Sequence, residues 1–129
     1  MNLDKKFHIS KAQNNEEFYE KYKLSETEFV DWAATVLFYV CVHYVDAVLC
    51  ADINLTSYQQ QPENHFARNK AVSQCLKLKG IAPSYLNLYQ RSLDARYKQL
   101  AFPSNFLATL ETNDYQPVRE LIRNQLGLT

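Results

Sequence analysis

One stretch governs what this chain can become: between Trp32 and Cys50 nearly every residue is apolar, and the exceptions fall on one side. At 100° per residue, Asp31, Thr35, Tyr39, His43 and Asp46 lie within an arc of about 120°. A segment apolar over most of its circumference and polar along one arc suits the central helix of a bundle. Its neighbours then cover the apolar sides. His43 and Asp46 interrupt the run and Asp31 precedes it, so it makes a poor membrane span.

The flanking sequence punctuates further helices. Ser25-Glu26-Thr27-Glu28 matches a capping box and predicts the start of the central helix, which runs to about Ile53. Residues 1–24 are polar, with Phe18, Tyr19 and Tyr22 spaced for at most one short peripheral helix. After a polar connection, Pro62 and Glu63 suit the first turn of a second long helix that runs to about Lys79, with Gly80 as its stop. Pro83 fits the first turn of a third, through about Leu100. The few residues between these two helices make them antiparallel neighbours. The pattern weakens around Pro103, after which Asp114 is placed to cap a last helix bearing Val118, Leu121, Ile122 and Leu126, ended by Gly127. Only two glycines in 129 residues argue against a hairpin-rich sheet. The expectation is an all-α, up-and-down bundle of four to five helices forming one domain over residues 1–129.

Charge narrows the function classes. Lys plus Arg, 14, equals Asp plus Glu, 14, so no basic field draws in nucleic acid at long range and any RNA contact must be local. Lys5, Lys6, Lys11, Lys21 and Lys23 near Phe18, Tyr19 and Tyr22 offer a small basic and aromatic surface, but interspersed glutamates make a solvated face the simpler reading. Cys41, Cys50 and Cys75 lie in apolar helical stretches without metal-ligand spacing, and read as buried, reduced thiols of a cytoplasmic protein. The charged start, Met1 to Lys6, is not followed by an apolar run of the secretory type. Glycine-rich phosphate loops, G-x-S-x-G elbows, H-E-x-x-H helices and calcium loops are absent, and no metal or cofactor is expected.

Polar residues on inner faces carry the functional signal. The third helix places Tyr85, Tyr89, Leu93 and Leu100 on one stripe with Ser92 and Arg96, while Arg91, Asp94 and Lys98 point to a solvated side. An arginine on a core stripe needs an acceptor. On the second helix Val72, Cys75 and Leu76 define the inner stripe, and the same face carries His65 and Arg68 at its N-terminal end, with Asn69 beside them. If the helices alternate in direction, the His43 and Asp46 level stands beside Arg68 and beside Ser92 and Arg96. Two readings follow. Asp46 with Arg68 or Arg96 is a buried ion pair that fixes register, with His43 and His65 as satisfied core histidines. Alternatively, two arginines and a helix N-terminus hold a phosphate or carboxylate, with His65 or His43 available for proton transfer and binding favoured over catalysis.

Asp31-Trp32-Ala33-Ala34, Val42-His43-Tyr44-Val45-Asp46-Ala47, His65-Phe66-Ala67-Arg68, and the run from Leu88 to Tyr97 together resemble, in order and spacing, small bacterial and archaeal proteins of the HEPN superfamily. The resemblance covers about residues 28–98. It implies a helical bundle, often a symmetric dimer, whose members include metal-independent ribonucleases, toxin partners of nucleotidyltransferase antitoxins, and inactive RNA- or nucleotide-binding relatives. The active ribonucleases carry an Arg followed after four to six residues by a His; here His65 precedes Arg68 instead. On that resemblance His65 and Arg68 are the candidate catalytic pair, with Arg96, Ser92, His43, Asp46 and Asn69 as ligand-binding candidates. RNA or a nucleotide, a protein partner, or a second copy of the chain are the implied partners.

Overall fold

The central helix, α2, spans Val30–Ala51 and is buried along most of its length, with Leu37, Phe38, Val40, Cys41, Tyr44, Val45 and Leu49 fully sealed. The structure, a computed structural model, describes residues 2–98 and 101–128. Among these, α2 alone is long and apolar enough to cross a membrane, and 72% of its most apolar window is buried against the other helices. It starts later than the Ser25 box predicts. Leu24–Glu26 instead form a short 3-10 turn entered through Lys23 in the left-handed region (φ 50°), and Thr27 Oγ1 accepts from Phe29 N at 3.1 Å.

The N-terminal segment is more than a short peripheral helix. Asn2 caps α1 (Leu3–Lys21), its side chain accepting from Lys5 N, with Asp4 in the first turn and Lys21 in the last, each charge suiting its end of the helix dipole. This 19-residue helix lies antiparallel along α2: Asn2 donates to the Cys50 carbonyl at 3.3 Å, and His8 stacks on His43. Periodicity hid it because so few of its residues are buried; Ala12 and Tyr19 alone are.

From Ala51 the chain crosses over instead of reversing directly. The connection contains α3 (Ser57–Gln60), closed by a capping box between Thr56 and Gln59, and returns the chain to the middle of α2. The next helix, α4 (His65–Gln74), then runs parallel to α2, because Tyr39 meets His65, Asp46 meets Arg68 and Asp52 meets Cys75 in ascending order. This one pair of long helices, α2 and α4, runs in the same direction within the bundle. The α4 helix is also shorter than Pro62 to Lys79. Cys75 leaves the helix with an extended backbone (ψ 120°) and its thiol donates to Asp52 at 3.3 Å, so Leu76 swings out to 77% exposure and Leu78 takes the core position.

Pro83 lies in the first turn of α5 (Ala82–Tyr97), which is antiparallel to α4 as expected; Leu100 lies outside the described residues. The C-terminal rod consists of α6 (Phe106–Leu110), a π-helical turn over Glu111–Tyr115, and α7 (Gln116–Leu126), closed by Gly127 in the left-handed region at φ 73°. Asp114 is no cap: it sits inside the π turn. Pro117 cannot donate to the carbonyl of Asn113, so the hydrogen-bond ladder loosens there. Arg119 grips Glu16 through two bonds at 2.9 and 3.2 Å, Tyr19 donates to Glu111, and Arg123 donates to the Tyr44 hydroxyl at 3.0 Å. The fold is all-α, a bundle of five packed rods without a strand among the described residues.

Candidate functional site

Asp46 and Arg68 form the centre of the polar cluster. Their side chains are 11% and 12% exposed and meet twice, Nε to Oδ1 at 2.7 Å and Nη2 to Oδ2 at 3.2 Å. Burial disfavours the Arg68 charge, but the hydrogen bonds and charge of Asp46 outweigh it and hold the guanidinium protonated. Between the two arginines the geometry selects Arg68 as the partner of Asp46.

The remaining Arg68 nitrogen, Nη1, lies 3.2 Å from His65 Nδ1, and His65 Nε2 lies 3.2 Å from the Tyr39 hydroxyl. A guanidinium only donates, so His65 Nδ1 accepts and the ring proton sits on Nε2, directed at Tyr39. Phe38, Tyr39 and Tyr89 surround the imidazole at centroid distances of 5.4, 5.8 and 5.6 Å. Burial first, then the nearby Arg68 and Arg96 charges, lower the His65 pKa, against the opposing pull of Asp46. His65 is therefore a neutral imidazole at pH 7, fixed in one tautomer. Behind it Tyr85 is fully buried with its hydroxyl unpartnered, and desolvation raises its pKa.

Helix phase places a surface below His65. Trp32 lies seven residues before Tyr39 on α2, and Arg96 lies seven residues after Tyr89 on the antiparallel α5, so both share the stripe of a residue that touches His65. Because α4 begins only at the Tyr39 level, nothing from it covers α2 below that point. Trp32 stands 65% exposed, and Phe66 and Tyr97 are 80% and 75% exposed. Arg96 lies over the Tyr97 ring at 5.4 Å, and its Nε donates to the Ser92 carbonyl at 3.2 Å. Among the described residues it meets no carboxylate.

The other expected site residues scatter. Ser92 is fully buried and its hydroxyl donates to the Tyr89 carbonyl at 2.8 Å, so it is turned into its own helix. His43 faces α1, its ring 6.0 Å from His8 and its Nδ1 buried without a partner; burial is the main cause of its lowered pKa. Asn69 Oδ1 is likewise buried and unpartnered. On the far side of the ion pair from His65, a cleft of about 370 Å³ opens between α1, α2 and the 60–62 connection, where Asp4, His8 and Gln60 face Asp46 and Arg68. Sequence reasoning missed Asp4 and His8, which sit one turn apart on a helix with almost no apolar face to set its phase. No three His, Cys, Asp or Glu residues gather as a metal site among the described residues. Comparison of the chain with family models, with curated proteins and with solved structures finds no match in any of the three.

Proposed function

We propose that this chain is a HEPN-like helical module that binds single-stranded RNA or a nucleotide, with the phosphate at Arg96 and the first amides of α4 and the bases on the aromatic surface below α4. The observation that carries the reading is the Arg96 guanidinium, half-buried, meeting no carboxylate among the described residues and lying over the exposed Tyr97 ring, on the side of the bundle where helix phase puts the exposed Trp32. A cation that tracks a backbone beside aromatic faces that stack bases is how sequence-tolerant strand binding works. The first amides of α4, at His65 and Phe66, lack intrahelical partners and add donors at the same end. The HEPN resemblance concerns these same segments, on α2, α4 and α5.

Binding is favoured over cleavage by the state of the two catalytic candidates. Both nitrogens of His65 are engaged by Tyr39 and Arg68, and the Arg68 charge is matched by Asp46, so neither group is disposed toward a scissile phosphate. That satisfied cluster is also the observation that favours a second reading, a non-catalytic protein-interaction module in which the cluster sets helix register and the exposed aromatics dock a protein.

The test uses the chain's one tryptophan, Trp32, as reporter. Titration with a short single-stranded RNA at low salt should quench its fluorescence, with Arg96→Ala weakening binding roughly tenfold and added salt weakening it further. The same RNA incubated with parent and His65→Ala protein should remain intact. Absence of quenching, or identical affinity in Arg96→Ala, refutes the RNA reading in favour of protein docking. Cleavage by the parent alone makes the chain an enzyme.

A further inference from the structure

The inner face of α1 packs on α2 through Ala12 and Tyr19, but the outer face is not simply polar. Leu3, Phe7, Phe18 and the C-cap residue Tyr22 stand 47–74% exposed. Apolar side chains scattered singly over a surface are ordinary; these four fall within one arc of about 100° on the helix wheel, with exposed Lys11 and Asn14 between them. The series Leu3, Phe7, Lys11, Asn14, Phe18, Tyr22 advances by 4, 4, 3, 4 and 4 residues, so it reads the same from either end. Asp4 and Lys21, both exposed, lie on the two edges of the arc and exchange places under the same reversal. Phe18 and Tyr22 touch at a ring separation of 5.0 Å, and Lys11 and Lys21 lie over the Phe7 and Tyr22 rings at 5.6 and 5.7 Å. The stripe is about 28 Å long.

The charges on α1 and the symmetry of the stripe select its occupant. From Leu3 to Tyr22 the four lysines at 5, 6, 11 and 21 balance the four acids at 4, 16, 17 and 20, so no net charge draws an anionic lipid surface or RNA to this helix. Asn14 at the middle of the stripe also opposes insertion into lipid. A second α1 laid alongside in the reverse direction, by contrast, offers each position a suited neighbour. In antiparallel packing the two edges of such an arc share layers across the contact. Leu3 then meets Tyr22, Phe7 meets Phe18, Lys11 meets the Asn14 amide oxygen, and Asp4 meets Lys21. A two-fold axis makes each of these contacts twice, and no layer sets like charges together. We infer that two copies of the chain associate through this stripe as an antiparallel α1 pair, with the two-fold axis at the level of Ala12 and Gln13. Arg96, Trp32 and Tyr97 lie on α5 and α2, so the inference does not depend on the surface below α4.

Sedimentation velocity of the full chain at increasing concentration, up to about 1 mM, should show monomer passing into dimer. Phe18→Glu sets a carboxylate against Phe7 at both ends of the contact and should weaken association at least roughly tenfold. Because Phe18 is exposed, circular dichroism of that variant at high dilution should match the parent. Lys21→Glu brings two like-charge pairs together and should weaken association roughly threefold or more at low salt. Adding Asp4→Lys to it re-forms both pairs with the signs exchanged and should restore the dimer, a rescue that apolar contact without fixed register does not give. Arg96→Ala should dimerise as the parent does, so failure of RNA binding and failure of dimerisation are read separately. The inference is overturned if the parent stays monomeric throughout, if Phe18→Glu associates as the parent does, or if the double variant is no better than Lys21→Glu. A monomer that pellets with phosphatidylserine vesicles assigns the stripe to a membrane surface instead.

Discussion

Arg68→Ala is the perturbation to which the structure assigns the largest effect at the cluster. The substitution removes both bonds to Asp46, at 2.7 and 3.2 Å, and leaves an acidic side chain that is only 11% exposed without its cation. Deleting one partner of a buried pair costs about 3–5 kcal/mol, because the survivor stays desolvated and uncompensated. Asp46 borders the 370 Å³ cleft, so water reaches it once the guanidinium is gone and the lower end applies, about 3 kcal/mol. For a domain of this length each kcal/mol shifts the melting temperature by about 3–4 °C, so Arg68→Ala should melt about 10 °C below the parent. Replacing both partners, Asp46→Leu with Arg68→Met, removes the charges together and should recover most of that loss, since an apolar pair of similar volume is often neutral or better. Thermal unfolding followed by circular dichroism at pH 7 compares the parent, Arg68→Ala and the double variant. A single variant melting within about 2 °C of the parent, or a double variant as unstable as the single, would refute the claim that the pair is buried and mutually dependent.

Two further outcomes follow from burial and helix phase. His43 and His65 both have pKa values lowered chiefly by burial, so above about pH 6.5 folded and unfolded chains carry them neutral alike, while below it the unfolded chain takes up protons that the folded one refuses. The melting temperature should therefore fall as the pH drops from about 6.5 toward 5, and less steeply in His65→Phe; equal slopes would mean that His65 is not desolvated. Leu78→Ala, at a fully buried position, should cost about 2–5 kcal/mol in urea unfolding, whereas Leu76→Ala should stay within about 0.5 kcal/mol, and the reverse order would restore the longer helix that the Cys75 exit breaks.

The contrast between Leu76 and Leu78 shows where the sequence stops being legible. A helical wheel carries phase faithfully along one uninterrupted helix. Hence the arc on α2 and the placement of His65 and Arg68 at the start of α4 could be read directly, and Asp46 indeed meets Arg68. Phase is lost wherever the backbone leaves the α register: at Cys75, where Leu76 turns out, and in the π turn, where Asp114 joins Asn87 instead of capping α7. Nothing in the sequence marks the exit at Cys75, which is decided by a tertiary partner, Asp52, whereas Pro117 marks the loosened ladder near Asp114 without revealing that Asn87 is its partner. Direction is a separate unknown. The crossover through α3 sets α2 and α4 parallel, so Asp46 and Arg68 still share a level while Ser92 and Arg96, on a helix running the other way, lie below His65. The convergence foreseen as one cluster therefore separates into a sealed ion pair and an open aromatic surface, with His65 as the side chain that joins them. His65 lies two hydrogen bonds from Asp46, through Arg68, and the Arg96 charge is near enough to lower its pKa, so the sealed pair and the open surface meet at one imidazole.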